Sequence, residues 1–189
     1  MAAAAESSAL DSEATPFTLH QYLHYSQHEQ PSEPGIYCPL VWDLRELPSS
    51  GARHVSNLQQ PLSPRRLAQA ATFPLVQSLE ITCDILPEHW LIEAYNPAYV
   101  TLFDVLQAIY DSLHVPLLEE ECERLTPKQR ARARAAYERR CEMALQPEVC
   151  REQGMLRLDC LANHILFGGL SPSMEMRWSF ILSLRRPIG

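Results

Sequence analysis

Histidines at a four-residue spacing, a carboxylate beside a tryptophan and a run of arginines are the residues here whose type and spacing can do chemistry. His20, His24 and His28 stand four apart. On a helix they share one face, and an i, i+4 imidazole pair chelates Zn²⁺ or Ni²⁺. Only Glu29 stands near enough to add a ligand, so the expectation is a polar tail helix and no metal site. Asp43 follows Trp42 at the end of an apolar run. With Trp90 and Tyr110 as further walls and Asp104 as a second polar group, it would make an aromatic-lined ligand pocket. The competing reading makes Trp42 and Trp90 core aromatics and Asp43 the cap of a turn. No spacing supplies a second carboxylate to work with Asp43 in acid–base catalysis.

Lys128, Arg130, Arg132, Arg134, Arg139 and Arg140 stand against only Glu138 and Glu142 in one stretch. Two readings apply. The run Glu119-Glu-Glu-Cys-Glu123 just upstream neutralises it, or Arg130, Arg134 and Arg139 face an acidic partner. Nucleic acid is disfavoured: the formal net charge is −7, which repels phosphate backbones. Aromatic stacking platforms are also not interleaved with the arginines. No GxSxG, P-loop, GxGxxG or HExxH occurs. Six glycines in 189 residues argue against a phosphate-cradling loop, and no cofactor is indicated.

The elements that must position these residues are bounded by length and composition. A chain of 189 residues that is 46% hydrophobic and 21% charged can bury its own core without metal or disulfide staples. The net negative charge lies in the first hundred residues, which carry four arginines against eleven acids. The six cysteines form no CxxC and fit no zinc-knuckle spacing, so they read as small core residues. The N-terminus lacks a signal-peptide pattern and no apolar run reaches 18 residues. The expectation is a cytoplasmic, reduced protein with no membrane contact.

Residues 1–35 read as a mobile tail with a short helix over Pro16–Gln30, and 36–189 as one globular domain. Strands are expected at Leu40–Leu44, around Leu79-Ile81-Cys83, around Trp90-Ile92-Ala94 and over Trp178–Leu184, where apolar and polar residues alternate. A short helix is expected over Ser63–Ala71. Leu102, Val105, Leu106, Ile109 and Leu113 make one helical face, with Thr101 and Asp104 shaped as a capping box. A second helix begins at Thr126-Pro127, with Gln129 completing its box. Pro147–Gly154 reads as a loop. Leu158–Leu166 reads as a helix capped by Asp159 and stopped by Gly168-Gly169. The sum is an α+β fold: an antiparallel sheet of about four strands with helices on one face.

Trp42-Asp-Leu44, Ala70-Ala-Thr-Phe-Pro74, Asn96-Pro97, Val100-Thr-Leu-Phe-Asp-Val-Leu-Gln-Ala-Ile109, Ala136-Tyr-Glu-Arg-Arg140, Arg157-Leu-Asp-Cys-Leu161 and Phe167-Gly-Gly-Leu170 occur in that order. This series resembles a large, uncharacterised domain family of mushroom-forming basidiomycete fungi, over most of the chain. The resemblance implies a basidiomycete source and no activity or residue role. Two functional readings stand. One is a non-enzymatic interaction module that binds a protein partner through the arginine-rich helix or a groove against the sheet. The other is an enzyme or binder of a small apolar molecule in a secondary-metabolite pathway, with its pocket between sheet and helices.

Overall fold

The computed structural model describes residues 17–25, 38–87, 90–174 and 178–187. In chain order these form β1 (Thr18–Leu19), β2 (Leu40–Val41), α1 (Pro48–Gly51), β3 (Arg53–His54), β4 (Asn57–Pro61), α2 (Pro64–Leu67), β5 (Thr72–Phe73), β6 (Ser78–Thr82), β7 (Ile92–Tyr95), α3 (Leu102–Leu113), α4 (Glu119–Arg124), α5 (Pro127–Met143), α6 (Pro147–Gln153), β8 (Leu166–Pro172) and β9 (Ser179–Arg185). Short 3-10 segments cover Gln21–Leu23 and Arg157–Leu161. The fold is α+β. No helix among the described residues is long and apolar enough to cross a membrane.

The central helix, α3, forms where the apolar period demands it. Leu102, Val105, Leu106, Ile109 and Leu113 are all buried against the core. Its first turn is closed by a reciprocal box. The Asp104 N–H donates to Thr101 Oγ1, and Asp104 Oδ2 accepts from the Thr101 N–H at 2.8 Å and from Asn96 Nδ2 at 2.8 Å. Those bonds satisfy donors that a helix start otherwise leaves open.

The main sheet has the order β7-β6-β9-β8. Leu79 and Ile81 of β6 and Ile92 and Ala94 of β7 point inward, as their alternation demands. The sheet is mixed rather than purely antiparallel, because β6 and β9 run parallel, with Ile81 opposite Phe180. The long connection between them, which carries the helices, permits that direction where a tight hairpin would not. Two smaller antiparallel sheets, β2-β3-β4 and β1-β5, flank it. Strand β4 is exposed along its whole length, so no apolar alternation marks it in the sequence.

Gly168 and Gly169 do not stop a helix. The helix expected over Leu158–Leu166 ends at Leu161, and the glycines lie inside β8, where the register to β9 shifts. A Cβ on Gly169 would stand 2.5 Å from the His24 carbonyl oxygen and from Tyr25 backbone atoms, and its φ is +109°. The contact it permits is a backbone bond, Tyr25 N–H to Leu170 O at 2.9 Å. Gly169→Ala is therefore expected to cost about 2 kcal/mol or more, from strain and overlap together. Gly154→Ala, at φ +74° and ψ −167° with nothing within 4 Å, meets no overlap and only the backbone strain of a region essentially confined to glycine, about 1–3 kcal/mol. Urea denaturation of the two variants checks the order.

The segment expected as a tail helix is different where it is described. Thr18–Leu19 pairs with Phe73 and Thr72, and Leu19, Tyr22 and Leu23 are buried in the core. His20 Nδ1 accepts the Tyr22 N–H at 3.1 Å, and the His24 ring bonds the Leu19 carbonyl at 2.8 Å. Those side-chain bonds hold a turn in place of helix, so His20 and His24 share no chelating face. His28 lies outside the described residues. Among the described residues no group of three or more His, Cys, Asp or Glu is placed to hold a metal.

Candidate binding groove

A groove of about 790 Å³ runs along the C-terminal half of α5. One wall is Ala136, Arg139, Arg140 and Met143. The opposite wall is the 3-10 helix and the turn after it, with Leu158, Asp159, Ala162 and Asn163. The Asp43–Glu46 turn and Arg186 close its ends, and His114 from the last turn of α3 lines it.

Most charges in the groove are matched within the chain. Asp43 Oδ1 accepts the Arg45 backbone N–H and Nε, each at 3.0 Å, and Oδ2 accepts Arg45 Nη2 at 2.7 Å. Glu46 pairs with Arg53 at 2.9 Å. Asp159 is 3% exposed and takes Arg140 in two bonds, Nε to Oδ1 at 3.0 Å and Nη2 to Oδ2 at 2.8 Å. Its Oδ2 also accepts the Leu156 N–H at 2.8 Å. Arg140 further reaches the Gly154 carbonyl and Cys150 Sγ. This pair ties α5 to α6 and to the 3-10 helix.

Two cations in the groove are not matched. Arg139 Nη2 donates to Asn163 Oδ1 at 3.1 Å, and Arg186 Nε donates to His164 Nε2 at 3.0 Å. Both partners are uncharged amide or imidazole groups when so bonded. His164 Nδ1 lies 3.3 Å from the Leu161 carbonyl oxygen. Among the described residues neither Arg139 nor Arg186 makes an ion pair. Their partners are consecutive residues on one turn, and both arginines line the groove.

His114 Nδ1 bonds the Tyr110 carbonyl at 2.8 Å, and its ring stacks on Tyr110 at 3.7 Å. Burial pushes its pKa below the usual 6.5; the Tyr110 carbonyl opposes this and Arg140 adds to it. The unfolded chain therefore takes up this proton before the native state does. Stability is expected to fall as pH drops from 7 through 6.5, with a slope of at most about 1.4 kcal/mol per pH unit from this group. His114→Gln should flatten that part of a pH–stability curve measured by urea denaturation, and an unchanged slope would contradict the assignment.

The sequence-derived pocket residues do not converge. Trp42 is wholly enclosed, its Nε1 donating to the Glu46 carbonyl at 2.9 Å. Trp90 is 3% exposed, with the Arg157 guanidinium 4.7 Å from its ring centre. Both tryptophans are core residues, buried within the main apolar cluster. Asp104 is engaged in the α3 cap and borders a separate shallow depression with Tyr95 and Phe103. Tyr110 sits behind His114. Only Asp43 reaches the groove, and there it closes a turn on Arg45.

The arginines also separate. Arg130 Nη2 donates to the Glu123 and Leu125 carbonyls, setting the start of α5 against the end of α4. Arg134 pairs with exposed Glu138 one turn on. Arg139 alone of the three faces the groove. No ion pair among the described residues joins the 119–123 acids to the α5 cations. Glu121 turns inward instead, to Arg157 at 2.6 Å. Burial works against its charge, but the Leu118 N–H, Arg157 and the Trp90 side chain together hold its carboxyl below the usual range. Arg186, Asn163 and His164 carry no local motif. Only the β8–β9 register, Leu166 opposite Arg185, brings Arg186 to the 163–165 turn.

The profile of the Family of unknown function (DUF6699) matches residues 40–177, and the chain belongs to that family. The matched stretch includes every groove-lining residue except Arg186 and Pro187. No curated protein and no solved structure matches the chain.

Proposed function

We propose that the chain is a non-enzymatic interaction module that takes an acidic, partly apolar segment of a protein partner in the groove beside α5. The observation that carries this reading is that Arg139 and Arg186, two exposed cations lining one groove, bond Asn163 and His164 and make no ion pair among the described residues. A cation pair so placed attracts carboxylates and gives electrostatic specificity. The helix that carries Arg139 has five further cations against two acids. Met143 and Leu145 at its end are 77% and 102% exposed, an apolar edge for the same segment. The groove's own acids, Asp43, Glu46 and Asp159, are engaged with arginines of the chain, which favours binding over turnover.

The test is fluorescence anisotropy of a labelled glutamate-rich peptide carrying one leucine. Saturable binding is expected, weaker at high salt. Arg139→Ala with Arg186→Ala should weaken it about tenfold, or roughly 1.4 kcal/mol, while Arg134→Ala leaves it unchanged. Equal binding by wild type and the double variant contradicts the reading. The groove's volume also suits a small organic acid. Saturation by citrate without peptide binding would favour that occupant.

A further inference from the structure

Cys141 Sγ and Cys150 Sγ lie 3.0 Å apart. That is only about 1 Å beyond the roughly 2.05 Å of a disulfide bond. The two thiols sit on successive helices, Cys141 near the end of α5 and Cys150 in the middle of α6. Both are unbonded cysteines and both are buried. The Arg140 guanidinium reaches Cys150 Sγ at 3.0 Å. A fixed cation beside a sulfur favours a thiolate there and disfavours a bound metal ion. Between them lie Met143, Leu145 and Val149, three of the chain's exposed large apolar residues.

We propose that Cys141 and Cys150 form a reversible disulfide that clamps this exposed apolar tip. The step needs a disulfide oxidant, such as glutathione disulfide. The Cys150 thiolate attacks one oxidant sulfur, forms a mixed disulfide and releases one glutathione thiolate. The Cys141 thiolate then attacks the Cys150 sulfur, forms the internal bond and releases the second glutathione. Two protein thiols are oxidised, one oxidant disulfide is reduced, and the two protons pass to the released thiolates. Cys150 is the first to react because α6 has seven residues and buries only Cys150, so local opening of this helix exposes it. Burial holds the Cys150 thiol above its usual pKa, the Cys141 sulfur acts in the same direction, and Arg140 opposes them. The reaction therefore speeds up as pH rises. It leaves Arg139 and Arg186 untouched, while the tip it clamps carries Met143 and Leu145, the apolar edge of the proposed groove.

The chain's own cleavage sites make the test direct. Trypsin cuts after Arg140 and Arg151 and releases both cysteines in one peptide, Cys141–Arg151. Native protein is equilibrated with a fixed ratio of oxidised to reduced glutathione, quenched in acid, alkylated and digested. The expected major product is this peptide unalkylated and lighter by two hydrogens. Cys38, Cys83, Cys122 and Cys160 are alkylated. The oxidised fraction should be at least tenfold above that of the urea-unfolded chain at the same ratio, since the fold supplies the proximity. Cys150→Ser should abolish the product, and Cys122→Ser should leave it unchanged. The proposal is overturned if both cysteines of the peptide are alkylated or stop at mixed glutathione disulfides. It is equally overturned by linkage to Cys122 or Cys160, or by native and unfolded chains oxidising alike.

Discussion

Asp159→Ala is expected to lower stability by about 3–5 kcal/mol, the range for removing one partner of a buried ion pair. Asp159 is 3% exposed and its two oxygens accept three bonds, two from Arg140 and one from the Leu156 N–H. The Arg140 side chain is 18% exposed. Without the carboxylate, its charge is left with the Gly154 carbonyl and a thiol, neither of which neutralises it. The Leu156 N–H loses its acceptor as well. Asp159→Asn keeps an acceptor for that N–H and should cost less. Urea denaturation reads the difference as a lower midpoint at unchanged slope. A loss below about 1 kcal/mol would mean that water already screens the pair.

The second large effect is on binding alone. Replacing Arg139 and Arg186 together by glutamate turns two groove cations into two anions. Affinity for the glutamate-rich peptide should fall about a hundredfold, roughly 2.7 kcal/mol, twice the effect of the alanine pair. Stability should stay within about 0.5 kcal/mol, since both side chains are exposed and make no ion pair. Anisotropy titration and urea denaturation of the same preparation separate the two quantities. A loss of binding that tracks a loss of stability would place these arginines in the framework of the fold rather than in the site.

The elements with strong local signals were legible in the sequence. The α3 stripe and the Thr101–Asp104 and Thr126–Gln129 boxes all form as their spacing implies. The β6 and β7 alternation does too, whereas in β9 Phe180 and Leu182 are buried as expected but Ser179 is buried with them. What was not legible depends on partners distant in the chain. Gly168-Gly169 has the local signature of a helix stop, and only the approach of residues 24–25 explains it as strand. The parallel β6–β9 pairing follows from the length of the connection, not from either strand. Strand β4 is exposed throughout, and α6 shows one buried residue. The site followed the same rule. Arg139 was visible in a basic run, but which arginine stays unmatched depends on where Asp159, Glu138 and Asn163 fall. Arg186 reaches the groove through strand register, which no short motif encodes.

The claim that Arg139 and Arg186 hold an acidic segment is tested most directly by an ¹⁵N–¹H titration of the protein with the glutamate-rich peptide. The account predicts saturable shifts centred on the amides of Arg139, Asn163, His164 and Ile165, absent in the double glutamate variant. Shifts centred on Lys128–Arg134, or binding that leaves the 163–165 turn unmoved, would contradict it.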